Sequence, residues 1–542
     1  MKNHIRLMIS YIIMLGLLLT LFSGCSKSPA PKNVNEAGTP VDGGTLNVAL
    51  ESQTDVLDPH LATGWVSYRV LNQMYEGLVK EDLSGQSSSG DNVIPALAKS
   101  WDVSADGRVF TFYLREDVKF HDGTPFNAEA VKYNFQRMYK KDAPNYNSQA
   151  ASLTSYIWKY LKSIEVIAPL TIRLNFSTPF YEFPKVLAQI GMGSGGIISP
   201  AALQKWGDAI GEHPVGTGPF RFLRRSGDKI ILVKNNAYWG NKAHLDKIVF
   251  WQMPDPYARV NALQTGLVDL IFVPPPETID DLVKAGFLLT QGTTAHIWFL
   301  SLNTREPVFQ DIRVRRAIAM AIDKEKIAAD LKNTVKPAQG LQAPGNTSFD
   351  PDYKGLPFDP VQAKELLAAA GYPSGFDTIL QTSVSGSGQI LPVQIAKDIQ
   401  YDLHKLGINV KIETYEWIKY IGVWANGMRP GVGINQFSWG MTANYWLQMI
   451  TRSDFTPPNG YNTNYYNNRT VDFIFERALK ESNARKRALL YRQADELIVN
   501  DAWHIPIVND LAPLIMSPEV KDLKHTTSEW YDFKLVWINR QR

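Results

Sequence analysis

Strand-like and helix-like segments alternate along this chain from residue 43 nearly to its end, and a single cysteine leaves no disulfide to hold any other arrangement together. In "GGTLNVAL", Leu46, Val48 and Leu50 alternate with other residues as in a half-buried strand. "RVFTFYLR", "LTIRLNFS", "KIILVKN", "LDKIVFWQM" and "INVKIETY" read the same way. Helical segments lie between them. "FDPVQAKELLAAAGYP" has Asp359 to cap, Pro360 in the first turn and Gly371 to stop it. "FNAEAVKYNFQRM" starts from Asn127, with Glu129 in the first turn. "DIRVRRAIAMAIDKEKI" reads as one further helix, with Arg313, Arg315 and Arg316 on a solvated or ion-paired face. Such mixing predicts an α/β fold, and 542 residues are enough for more than one domain.

The cysteine, Cys25, lies at the N-terminal end. Lys2, His4 and Arg6 form a basic start, residues 7–21 are almost wholly apolar, and Ser23 and Gly24 are small. This is the layout of a secretory signal. An apolar run of about 15 residues is short of the ~20 needed to span a bilayer. The stretch "LFSGCSKS" resembles a bacterial lipobox, with Phe22 where leucine is commoner. That resemblance implies a signal peptide over 1–24, cut before Cys25, and a lipid on the Cys25 thiol. Two or more acyl chains would anchor it stably. Residues 25–42, including "SKSPAPKNVNEAGTPVD", hold too little apolar content to fold and read as a tether. The expected location is extracytoplasmic, lipid-anchored at the outer face of the cytoplasmic membrane.

Known chemistry is scarce. A net charge of +3 gives no electrostatic case for nucleic acid. H-E-x-x-H, the phosphate-cradling glycine loop and G-x-S-x-G are absent, and the nine histidines are scattered. No cofactor, metal site or catalytic residue is expected. "GMGSGG" (191–196) matches a dinucleotide loop in letters only, because Pro200 stands where the phosphate-binding helix would begin. His121 and Asp122 in "KFHDGTPF" are adjacent, so on a strand they would face opposite ways; Asp122-Gly123 reads as a turn into the helix at Asn127. Aromatic residues carry the stronger signal. They make up 11% of the chain and cluster in "YEWIKYIGVWANG" and "FSWGMTANYW". In the second, Gly440, Thr442 and Asn444 interrupt the rings, a pattern that suits a binding loop better than a core.

Five segments together resemble one family: "LREDVKFHDGTPFNAEAVKYNF", "HPVGTGPFRF", "NNAYWGNKAHLDKIVFW", "LNTREPVFQDIRVRRAIAMAIDKEKI" and "FDPVQAKELLAAAGYPSGF". In this order they are similar to the family 5 extracellular solute-binding proteins of ABC importers, the dipeptide-, oligopeptide- and nickel-binding class. The resemblance implies a two-lobed, periplasmic-binding-protein-like α/β fold (type II, large cluster) that closes on a solute. It places lobe I at 43–293 plus 507–542, with an extra subdomain at about 80–195, and lobe II at 294–506. The strands joining the lobes should lie near "TTAHIWFLSLN" and "AWHIPIVND". Implied partners are a small-molecule or peptide solute and an ABC permease–ATPase complex, with the protein acting as a monomer and not as an enzyme.

Two departures bear on the solute. Peptide-binding members resemble one another at W-x-x-D, whose aspartate pairs with the peptide ammonium. Here Trp439 is kept, Thr442 stands at the aspartate position and Tyr445-Trp446 follows. Upstream, "SVSGSGQILP" offers no Arg or Lys for a ligand carboxylate. Stranding a charge costs several kcal/mol, so the sequence argues against a short free-ended peptide. The candidate ligand-binding set is Trp439, Thr442, Asn444, Tyr445, Trp446, Thr63, Trp65 and Trp417. Peptide-like solutes remain open beside an oligosaccharide or glycoconjugate, a metal chelate and, from another class, hydrolysis by a secreted enzyme.

Overall fold

The strand-like runs assemble into two main sheets. The computed structural model describes residues 38–83, 93–189, 195–386, 388–440 and 442–540. Cys25, the signal segment and the expected tether up to residue 37 lie outside the described residues, as do residues 191–194 of the glycine loop. One sheet has seven strands in the spatial order Leu288–Thr290, Leu514–Met516, Leu270–Phe272, Thr45–Leu50, Lys247–Gln252, Lys229–Lys234, Phe220–Ser226. The other has six: Val335–Pro337, His504–Asp510, Ile297–Leu302, Ile434–Trp439, Asp377–Ser383, Asn409–Tyr415. Thr45–Leu50 pairs in parallel with both its neighbours, and Ile297–Leu302 runs antiparallel to both of its own. The two sheets centre two lobes, and the chain passes between them at 291–296 and at 511–513.

Burial patterns explain the sheets. Ile297–Leu302, Ile434–Trp439 and His504–Asp510 are buried at every position, the mark of strands covered on both faces. In a four-stranded antiparallel sheet (Ala98–Val103, Val109–Leu114, Thr171–Phe176, Leu161–Ala168) the two central strands, Val109–Leu114 and Thr171–Phe176, alternate instead. Phe110, Phe112 and Leu114 point inward, and helix Ala128–Arg137 packs on its Leu161–Ala168 and Thr171–Phe176 strands. A buried Arg137–Asp58 ion pair, 2.7 Å, ties this subdomain to the turn after the first strand.

The helix caps follow the local sequence. Asn127 accepts from Ala130 N and Asp359 from Gln362 N, each at 2.9 Å. "DIRVRRAIAMAIDKEKI" forms two helices, not the single one expected. Ile312–Ala321 ends at Ile322, whose backbone is extended, and Asp323 caps Lys324–Asp330 by accepting from Lys326 N. A good capping residue outcompetes continuation. Arg313 pairs with Asp311; Arg315, nearly buried, donates to the carbonyls of Asp501, Phe309 and Gln310 and lies over the Trp503 ring. Asp122 forms the expected turn, accepting from Thr124 N. Among the described residues no helix is long and apolar enough to cross a membrane.

One buried carboxylate carries a pH dependence. Asp495 accepts from Leu341 N (2.9 Å) and Gln342 N (3.3 Å). Burial pushes its pKa up to about 7 against the pull of those donors. The folded value lies above the unfolded one, so the contribution to stability is whole below the unfolded pKa and is lost as pH rises through about 7. From about pH 5 to about pH 6.5 the protein should lose about 2 kcal/mol relative to Asp495→Asn. Urea unfolding of both proteins at the two pH values measures this; parallel curves would refute it.

Candidate functional site

Helix Trp417–Ala425 buries Trp417, Tyr420 and Trp424, residues i, i+3 and i+7 on one face, and turns the rings toward the last residues of strand Ile434–Trp439. Trp424 lies between Phe437 (4.3 Å, 11°) and Tyr461 (5.4 Å, 14°) in a stack, with Trp417 beyond Phe437. Trp439 meets the edges of both Trp424 and Tyr461. From the other lobe, the Ala62–Gly64 turn and helix Trp65–Leu71 bring Thr63, Trp65 and Tyr68. All of these except Tyr420 line a cavity of about 70 Å³ with Ala62, completed by Leu153, His296, Gln389, Ile421, Ala425 and Ser438. Among the described residues no lining side chain is a carboxylate, an ammonium or a guanidinium.

Local chemistry fixes each wall. Asp55 accepts from Thr63 N (2.7 Å), Thr63 Oγ1 (2.9 Å) and Gly64 N (3.1 Å), which holds the turn ahead of Trp65. Gln389 is locked to Ser438, donating to its carbonyl at 2.8 Å and accepting from its N–H at 3.2 Å. Gly440 must be glycine, because a Cβ there would stand 1.6 Å from the Ala295 carbonyl oxygen. Gly388, at φ +68°, would put a Cβ 2.5 Å from the His296 ring. His296 crosses between the sheets. Its ring stands edge-on to Trp65 at 4.5 Å, and Nδ1 is 3.2 Å from Ser438 Oγ. Burial, aided by Arg69, pushes its pKa down to about 3, so it is neutral at ordinary pH.

Four of the eight sequence-predicted residues, Thr63, Trp65, Trp417 and Trp439, line this cavity. Thr442, Asn444, Tyr445 and Trp446 do not. Trp446 and Tyr445 are fully buried in packing: Trp446 Nε1 donates to Gln342 Oε1 (3.1 Å) and Tyr445 OH to the Tyr156 carbonyl (3.0 Å). The polar interruptions that suggested an open loop are satisfied inside. Asn444 donates to Thr347 Oγ1 (2.8 Å) and Glu182 Oε1 (3.2 Å) and accepts from Ser348 Oγ (2.7 Å). Sequence reasoning missed Trp424, Phe437, Tyr461, His296 and Gln389. Trp424 was within reach, seven residues after Trp417 on one helix. His296 and Gln389 carry no local signal, because remote segments bring them in.

A family model described as "Bacterial extracellular solute-binding proteins, family 5 Middle" matches residues 92–488. The chain belongs to this family. As a family 5 solute-binding protein it is similar to the glutathione-binding protein GsiB of Escherichia coli O1:K1 / APEC, 32% identical over 472 residues, 85% of this chain and 88% of that one. Among solved structures it resembles the ABC transporter-associated periplasmic binding protein DppA from Helicobacter pylori in complex with peptide STSA. There the TM-score is 0.83 and the identity 29%, covering 92% of this chain and 99% of that one. The fold is shared with a dipeptide binding protein from Pseudoalteromonas sp. SM9913 in complex with Met-Leu (TM-score 0.81, 23% identity, covering 92% of this chain and 100% of that one). The family is one of extracytoplasmic, substrate-binding proteins, and its two-lobed fold is the one described above.

Within this family 5 protein, the departure at Thr442 takes on a different meaning. Thr442 Oγ1 is hydrogen-bonded to Glu81 Oε1, and Gln189 Nε2 donates to both of them, at 2.6 Å to Thr442 and 3.1 Å to Glu81. A carboxylate 361 positions away in the chain thus contacts the residue at the W-x-x-D position, though neither Thr442 nor Glu81 lines the cavity. The reading that no acidic partner stands there is corrected, since only contact across the cleft brings Glu81 to Thr442.

Proposed function

We propose that the protein is the substrate-binding component of an ABC importer, without catalytic activity. It captures a peptide-like or other small polar solute between its lobes and presents it to a membrane permease. Lobe I comprises 43–293 and 511–542 and lobe II 294–510, four residues past the expected break because strand His504–Asp510 lies wholly in the six-stranded sheet, and Cys25 carries the lipid that keeps the molecule at the membrane. The observation that carries this reading is the aromatic cavity lined from both lobes where the two strand crossings lie. At about 70 Å³ it is far below the ~300 Å³ of a typical small ligand pocket, so a solute enters by parting the lobes and is enclosed as they close. GsiB and DppA, whose names report glutathione and peptide, support a peptide-like cargo.

Native mass spectrometry of protein purified from its own host should find a retained small solute. Protein that carries none, and that no peptide or sugar stabilises in a thermal-shift panel, would end this reading. In the same panel, Trp439→Ala should weaken whichever solute binds by about 1–3 kcal/mol, judged by burial of one aromatic face; an unchanged affinity would return Trp439 to the core. A second reading is favoured by Glu81 on Thr442: a free peptide whose ammonium meets that carboxylate. Free tripeptides would then bind at least ~10-fold more tightly than N-acetylated ones, and Glu81→Gln would abolish the preference. Equal binding of free and acetylated peptides would exclude it.

A further inference from the structure

Three nitrogen atoms in the cavity lining are buried and lack a hydrogen-bond partner: Trp417 Nε1, Trp424 Nε1 and His296 Nε2. Their residues are 8%, 4% and 1% exposed. An indole N–H can only donate, and leaving a buried donor unpaired is costly. A native fold pairs most such groups, so two orphan indoles on one helix face need an explanation. Trp417 Nε1 also stands close to Gly64, 3.8 Å from where that residue's Cβ would be, so the donor is buried where the lobes meet.

We infer that Trp417 and Trp424 determine specificity by donating their indole N–H groups to an uncharged, oxygen-bearing group of the solute, a carbonyl or a hydroxyl. The inference rests on the solute-capture reading above and names the chemistry of its inner end. Charge is excluded from this end on two grounds. Among the described residues the lining holds no carboxylate to receive an ammonium and no ammonium or guanidinium to receive a carboxylate. Behind His296, the Arg69 guanidinium is already held by Glu51 and Glu529. Neutral His296 can donate or accept as the oxygen requires. Closure without such a solute buries the two donors unpaired. Closure around it pairs them, and this favours the closed state only when cargo is present.

The test replaces both Trp417 and Trp424 by 3-benzothienylalanine, in which sulfur takes the place of the indole N–H and the ring shape is kept. Titration calorimetry uses two probes, N-acetyl-glycyl-tyrosyl-glycine amide and maltose. Binding of the first identifies the oxygen-bearing group as a peptide amide, and binding of the second as a sugar hydroxyl. At least one should bind the natural protein, and the double replacement should weaken it about 10- to 100-fold. The melting temperature of the solute-free protein should stay unchanged or rise, because an unpaired donor has been removed; a purely structural role for the indoles would lower it. Failure of both probes to bind, an unchanged affinity, or a loss of affinity accompanied by a lowered melting temperature would overturn the inference. A host solute retained in native mass spectrometry while neither probe binds would leave solute capture standing and remove this proposal alone.

Discussion

Arg69→Met should destabilise the protein by about 3–5 kcal/mol, the largest effect expected of a single substitution. Arg69 is 1% exposed and pairs with Glu51 at 2.5 Å and Glu529 at 2.8 Å, both carboxylates being buried as well. Its guanidinium also lies 4.1 Å over the Phe272 ring. Removing it strands two buried carboxylates, each of which must then be protonated or solvated. Burial already pushes the Glu529 carboxyl up despite Arg69, so loss of the cation drives it further. The sign is checked by a second variant. Arg69→Met with Glu51→Gln and Glu529→Gln removes the charges together and should recover most of the loss. Urea unfolding measures both. A single variant within about 1 kcal/mol of the natural protein would show that the triad contributes little. The consequences reach the solute cavity, because Glu529 Oε1 lies 3.8 Å from His296 Nε2 and Trp65 is one turn before Arg69.

Gly440→Ala should cost roughly 3 kcal/mol or more and abolish solute binding together with stability. The methyl group would sit on the Ala295 carbonyl oxygen, and Ala295 lies in the first strand crossing. Relief requires moving the end of strand Ile434–Trp439 away from Ile297, the partner of Trp439 in the ladder. Trp439 would then leave the cavity wall. The control is Gly422→Ala on helix Trp417–Ala425, where nothing lies within 4 Å of the added Cβ. That substitution should stabilise by up to about 1 kcal/mol, as expected for replacing an exposed helical glycine. Equal behaviour of the two variants in thermal unfolding would refute the steric account.

The fold was largely legible because its signals are local. Thr45–Leu50, Val109–Leu114, Thr171–Phe176, Lys229–Lys234, Lys247–Gln252 and Asn409–Tyr415 all form where alternation or apolar runs predicted strands. Asn127 and Asp359 cap the helices that they were expected to cap. The one misread helix shows the limit of this reasoning, since Asp323 interrupts a continuous apolar periodicity by capping. In the site, only half of the expected residues line the cavity. Thr442 and Asn444 were placed in a binding loop because polar residues among rings are poor core. That argument fails where the partners, Glu81, Gln189, Glu182, Thr347 and Ser348, arrive from segments remote in sequence.

By itself the sequence determined the α/β class, the order of the elements and the family resemblance, because caps, periodicity and turns depend on residues a few positions apart. It also marked tryptophans as candidates to line a cavity. Only the tertiary structure decided which tryptophans do so, that Glu81 contacts the residue where the motif lacks its aspartate, and that two indole donors are buried without partners. Each of these depends on a contact between chain segments from about a dozen to several hundred residues apart. Burial and hydrogen-bond satisfaction belong to such contacts, and spacing along the chain does not encode them.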